Sequence, residues 1–192
     1  MIQQFYINQQ NITGQLLQKI TATLKKYNDR DLDAAIVLEK TLDACIAAYA
    51  KSGKADKESR FESLKSELVT ASRGVNPYTL EKVQLRRNEM IKNTAFRILQ
   101  NGEEIIREEL KEINIKIQQA EELLSQIILA ALQAGLIIQA QLKNINTQAK
   151  IEKLWKDIGN DPNLNIAHKK VQLMVSQPDI TVLLDQIITA LK

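Results

Sequence analysis

The chain has 192 residues, of which 44% are hydrophobic, 26% charged and only 4% aromatic, and its formal net charge is +3. That hydrophobic share excludes a disordered chain, and the near-neutral balance excludes a global electrostatic pull toward nucleic acid. Abundant Leu, Ile, Ala, Gln, Glu and Lys, with few Gly and Pro and no period-2 run, exclude a β fold and leave the all-α class.

The opening segment MIQQFYINQQNITGQ lacks the basic and apolar regions of a secretory signal, which predicts a cytoplasmic protein. Asn11-Ile12-Thr13 matches a glycosylation acceptor, read as a chance match without such a signal. Phe5, Ile12, Leu16, Ile20, Leu24 and Tyr27 recur at helical spacing and predict a first helix over 4–26. Asn28-Asp29-Arg30-Asp31 breaks the pattern, and either aspartate can cap a second helix over 32–51. Leu32, Ile36, Leu42, Cys45, Ile46 and Tyr49 are its expected inward face, and Ser52-Gly53 ends it. The lone Cys45, in the run DACIAAYA, reads as a buried, inert thiol. A third helix over 55–72 carries only the narrow stripe Phe61, Leu64, Leu68 and Val69, which suits a peripheral position.

Arg73-Gly74-Val75-Asn76-Pro77 is the strongest punctuation, and a subdivision of the single expected domain 1–192 would fall at 74–77. Asn76 and Pro77 have the types of an N-cap and first helical residue, predicting a fourth helix over 77–100. Its apolar residues, from Leu80, Val83 and Leu85 to Ile98 and Leu99, cover a wide arc. Lys82, Arg86, Glu89, Asn93 and Arg97 share one narrow face. Asn101-Gly102 admits two readings, a tight turn into an antiparallel helix or a glycine inside one very long helix. A shift in apolar register favours the turn, and so does charge. Folded back, the basic segment 82–97 would lie along the glutamate-rich segment 103–122, each exposed pair contributing about 0.2–1 kcal/mol.

A fifth helix is expected over 103–142, spanning roughly 60 Å at ~1.5 Å per residue. Leu110, Ile117, Leu124, Ala131, Ile138 and Ile145 repeat as heptads, with Ile113, Ala120, Ile127 and Ala134 completing a coiled-coil seam. Residues 123–142 carry no charge at all, and Ile128, Leu129, Leu132, Leu136 and Ile137 widen the apolar surface beyond the seam. Such a helix is central in a bundle or touches lipid. The length matches a bilayer, but Ser125, Gln126, Gln133, Gln139 and Gln141 would each need a partner in hydrocarbon. A bundle core is therefore preferred. Ile145, Ile151, Leu154, Trp155 and Ile158 are the buried set of a continuation that Gly159-Asn160-Asp161-Pro162 stops. A short helix over 166–175 follows. A last helix begins at Gln177-Pro178, its strong apolar face (Ile180, Leu183, Leu184, Ile187, Ile188, Leu191) predicting that it docks.

Chemical signals are few. His168 is the only histidine, and Lys169, Lys170 and Val171 replace the small residues that phosphotransfer would want, so a surface histidine is expected. One His and one Cys leave only carboxylates for a metal, and no Glu-x-x-His pair exists. Glu103, Glu104, Glu108, Glu109 and Glu112 interleave with Arg107 and Lys111 and read as a solvated, salt-bridged face. Lys82, Arg86, Arg87, Lys92 and Arg97 could contact phosphates but lack stacking aromatics, so nucleic acid is not favoured. No nucleophile–base pair, phosphate loop, cofactor motif or small-molecule substrate is legible.

The sequence thus predicts an elongated all-α bundle of about five to seven helices around one long central helix. The expected function is non-enzymatic, as an interaction or scaffold protein whose partner is another protein or a second copy. Its candidate surface is Ile128, Leu132, Leu136 and Ile137 with Lys82, Arg86 and Arg97. The alternative is a membrane-active bundle that releases 123–142, an argument by fold analogy alone.

Overall fold

The computed structural model describes residues 5–191, and among these it contains eight helices and no strand. They are α1 (Tyr6–Asn28), α2 (Ala34–Ser52), α3 (Ala55–Ser72), α4 (Arg87–Gln133), α5 (Gln139–Lys143), α6 (Gln148–Gly159), α7 (Asn165–Met174) and α8 (Gln177–Ala190). The protein is an all-α bundle with one long central helix, α4, of 47 residues. The chain forms two compact units. One is Asn11–Leu110, and the other comprises the described residues up to Gln10 together with those from Lys111 on. Gly74–Pro77, the place given above for any subdivision of a single domain, lies inside the first unit.

In the first unit α2 and α3 pack as a hairpin about Gly53, whose left-handed φ of 69° closes α2 as the sequence predicts. The core joins Leu16 and Ile20 of α1, Leu38, Leu42, Cys45 and Tyr49 of α2, Phe61 and Leu64 of α3, and Ala95, Ile98, Leu99 and Ile106 of α4. Burying each large side chain stabilises the fold by about 1.5–3 kcal/mol. Tyr49 stacks on Phe61 with ring centroids 5.5 Å apart. Cys45 is buried as expected, and desolvation pushes its thiol up to about 12. Leu32 and Ile36, however, are exposed. Lys26 binds both Asp31 and Asp33, which keeps Leu32 in the turn before α2, and the inward stripe is Leu38-Leu42-Cys45-Tyr49.

Asn101-Gly102 is not a turn. Both residues lie within α4, and Gly102 is there because packing leaves no room for a side chain: a Cβ would stand 2.8 Å from Ile20 Cδ1 and 3.3 Å from Phe61 Cε1. The glutamates find partners other than 82–97. Glu103 pairs with Arg107 one turn along α4 at 2.7 Å, and Glu108 with Arg60 of α3 at 3.3 Å. Glu109 is only 1% exposed and pairs with Lys54, at the start of α3, and Lys57 within it. The solvated, salt-bridged face of the sequence reading holds for Glu103 and Glu108 and fails at Glu109, which is buried.

In the second unit α4 buries one face, and Ile138, counted in the expected seam, is exposed. Ile113, Ala120, Leu124, Ile127 and Ala131 are buried. Helix α4 then stops at Gln133, not at 142, because Gly135 takes a left-handed φ of 71°. The Gly135 amide donates to the Leu132 carbonyl at 3.1 Å and the Leu136 amide to Ala131 at 3.0 Å, the paired bonds of a Schellman C-cap. The stretch 123–142 is therefore two helical pieces around a break. No helix among the described residues is long and apolar enough to cross a membrane.

Leu142, Ile145, Ile151, Leu154, Trp155 and Ile158 pack with Val171, Ile180, Leu183, Leu184 and Ile188 to complete this core, and α8 docks as expected. Ser176 caps α8, its hydroxyl accepting from the Asp179 amide at 3.4 Å. The buried Asp179 carboxylate accepts from the amides of Tyr6 at 2.9 Å and Ile7 at 3.1 Å, satisfying the first donors of α1. His168 is not a surface residue. It is 8% exposed and lies on the Trp155 ring with centroids 4.0 Å apart, against Gly159, where a Cβ would stand 2.6 Å from its Nε2. The glycine read as a helix stop is also what admits the ring.

Candidate interaction site

Residues 77–86 do not form the predicted start of a helix. The Asn76 side-chain oxygen accepts from the Tyr78 amide at 2.9 Å, so the asparagine caps a turn. The segment then doubles back: the Asn76 amide donates to Glu81 at 2.9 Å and the Val83 amide to Gly74 at 2.8 Å, forming an isolated bridge between Val75 and Lys82. Leu80 and Arg86 both hold φ of 60°, a left-handed backbone that costs of order 1 kcal/mol or more for a residue with a side chain. Arg87 locks the base of the loop, its guanidinium lying over Gly74 and donating to the Ser72 carbonyl.

This loop and the first turns of α4 enclose a groove of about 480 Å³. Its walls are Tyr78, Val83 and Leu85 from the loop and Met90, Asn93 and Arg97 from the helix, with Arg86 and Glu89 at the junction. The Arg97 guanidinium stands over the Tyr78 ring at 4.0 Å, and the Tyr78 hydroxyl donates to Glu67 at 2.8 Å. Partial burial, together with the Glu67 hydrogen bond and charge, pushes that phenol up to about 12, so it stays a neutral donor. Arg97 is thus pre-oriented by a ring rather than by a carboxylate. No carboxylate lies within ion-pair distance of Lys82, Arg86 or Arg97 among the described residues. Leu80 is 75% and Leu85 84% exposed, both on this loop.

The seven candidates divide accordingly. Arg86 and Arg97 meet at the groove, and Lys82 stands on the loop beside it. The apolar four do not form a surface: Ile128 and Ile137 are buried in the second unit's core, Leu132 is half-buried against it, and only Leu136 is exposed. Sequence reasoning missed Tyr78, Leu80 and Leu85 as surface groups, because Asn76-Pro77 was taken for a helix start and the leucines for its inner face. Among the described residues no cluster of His, Cys, Asp or Glu could hold a metal ion. Comparison of the chain with protein-family models, curated proteins and solved structures finds no match.

Proposed function

We propose that this protein is a non-enzymatic interaction protein, and that its partner is a protein segment with an acidic residue beside an apolar one, docking at the 75–86 loop. The observation that carries the reading is the pairing of two outward leucines with guanidinium groups that have no carboxylate of their own. Single exposed leucines are ordinary on protein surfaces. Here the backbone bears strain at Leu80 and at Arg86, next to Leu85, and strained non-glycine residues gather at binding sites. Arginine, tyrosine and leucine around a concavity supply an anchor pocket with a charged rim, the usual anatomy of an interface hot spot. The cations select an acidic partner and the leucines provide the area removed from water.

Selection of displayed peptides against the full chain tests this. Enriched sequences should place Asp or Glu next to Leu, Ile or Phe, and their binding should weaken with salt. Binding should fall about tenfold or more in Arg97→Glu and in Leu85→Ser, the scale of a hot-spot loss. Peptides that bind both variants as well as the parent would overturn the proposal. So would a dimer in light scattering that Leu85→Ser dissolves, or loop-dependent binding to anionic vesicles without peptide binding.

A further inference from the structure

The other face of the same α4 turns lines a second groove, of about 370 Å³, within the first unit. Asn88, Ile91 and Lys92 contribute to it, and helical periodicity sets them opposite Met90, Asn93 and Arg97. The facing wall is the α1–α2 connection: Tyr27, Arg30, Leu32 and Ala35. We infer that this groove is a binding site for a small aliphatic carboxylate, with Tyr27, Asn88 and Lys92 holding the carboxylate and Leu32, Ala35 and Ile91 covering the chain.

Three observations carry this. First, Tyr27 is only 9% exposed, and its hydroxyl is buried with no hydrogen-bond partner. A buried donor in a folded protein is nearly always satisfied, and this orphan, on a residue that lines the groove, gains a partner if an acceptor enters there. Burial also raises the Tyr27 pKa, so the hydroxyl keeps its proton to donate.

Secondly, the groove offers cations without a matching anion. Lys92 sits 5.7 Å from the Phe96 ring centroid, and neither it nor Arg30 has a carboxylate within ion-pair distance among the described residues. The one carboxylate in the lining, Asp31, is held by Lys26 at 2.8 Å. The acceptor must therefore come from the ligand, and a carboxylate satisfies both hydroxyl and ammonium. Thirdly, Leu32 is fully exposed although it lines the groove, and the neighbouring Arg30 holds a left-handed φ of 57°. An aliphatic tail along Leu32, Ala35 and Ile91 would remove that surface from water. The volume lies near the lower end of small-ligand sites, which suits a single unbranched chain such as that of octanoate.

The test is an amide NMR titration of the full chain with octanoate, with octanol and inorganic phosphate as separate arms. Octanoate should give saturable shifts at Tyr27, Asn88, Ile91 and Lys92. Octanol should bind at least several-fold more weakly, as loss of a charge-assisted contact requires, and phosphate should leave these amides unmoved. Tyr27→Phe should weaken octanoate about fivefold or more while leaving the unliganded protein at least as stable, because it deletes an unpaired group. Equal affinity for octanoate and octanol, shifts that never saturate, or unchanged binding to Tyr27→Phe would each overturn the inference. Marked destabilisation by Tyr27→Phe would also do so, by showing that the hydroxyl already has a partner. None of these results bears on the loop groove, whose residues are different.

Discussion

Gly102 and Ile20 meet where α4 has no space for a side chain, with a Cβ on the glycine standing only 2.8 Å from Ile20 Cδ1. Two effects then oppose each other in Gly102→Ala. Helix propensity gains about 1 kcal/mol, while overpacking a core costs about 1–3 kcal/mol. We expect packing to win, lowering stability by about 1 kcal/mol in urea denaturation. A more stable alanine variant would show that Ile20 and Phe61 yield freely.

Glu109 and Glu103 sit on the same helix and give opposite expectations. Removing the charge of Glu109 leaves Lys54 and Lys57 facing a neutral group in a site that is 1% exposed on the glutamate side, so Glu109→Gln should cost about 3 kcal/mol. Glu103→Gln breaks an i,i+4 pair whose arginine is in solvent and should cost no more than about 0.5 kcal/mol. Equal effects in parallel denaturation curves would refute the difference in burial.

Desolvation holds His168 below its ordinary value of 6.5, a hydrogen bond to the Trp155 backbone opposing it only in part, and Lys169 pushes in the same direction as burial. The unfolded chain then binds the proton more readily than the folded one. Stability from this group is complete above pH 6.5 and declines as pH falls from there toward the folded-state pKa. His168→Phe, which keeps a ring over Trp155, should flatten that part of the stability curve. A parent and variant with the same slope across this window would remove the histidine from the account.

Leu80 is where stability and binding part company. Its φ of 60° suits asparagine or glycine better than leucine, so Leu80→Asn should raise stability by roughly 0.5–1 kcal/mol. If the loop docks an acidic, apolar segment, the same change should weaken that binding. A variant that is both more stable and an equally good binder would argue that the leucine is incidental.

Much of the core was legible because burial leaves a periodic trace. Ile151, Leu154, Trp155 and Ile158 recur at helical spacing and are buried, and Ser176 with Pro178 marks the start of α8. Glycine was harder to read, because one residue type serves three ends. Gly53 ends a helix by its left-handed backbone, Gly102 sits in mid-helix to admit Ile20 and Phe61, and Gly159 makes room for an imidazole. Spacing alone does not distinguish a missing Cβ needed for φ from one needed for contact. The end of α4 was hidden for a related reason: Leu132, Leu136 and Ile137 keep the sequence apolar straight through the Schellman turn. The candidate site was half legible. Charge patterning singled out Lys82, Arg86 and Arg97. The leucines beside them were assigned inward, since an apolar residue strained into solvent has no periodic signature.

The Asp179 carboxylate bonds the Tyr6 amide across 173 positions of sequence, which sets an order of events during synthesis. The acceptor of the leading α1 amides belongs to α8, so this pairing forms only once α8 has been made and docked. The start of the first helix is then a timer: protection of the Tyr6 and Ile7 amides from exchange reports that α8 has arrived.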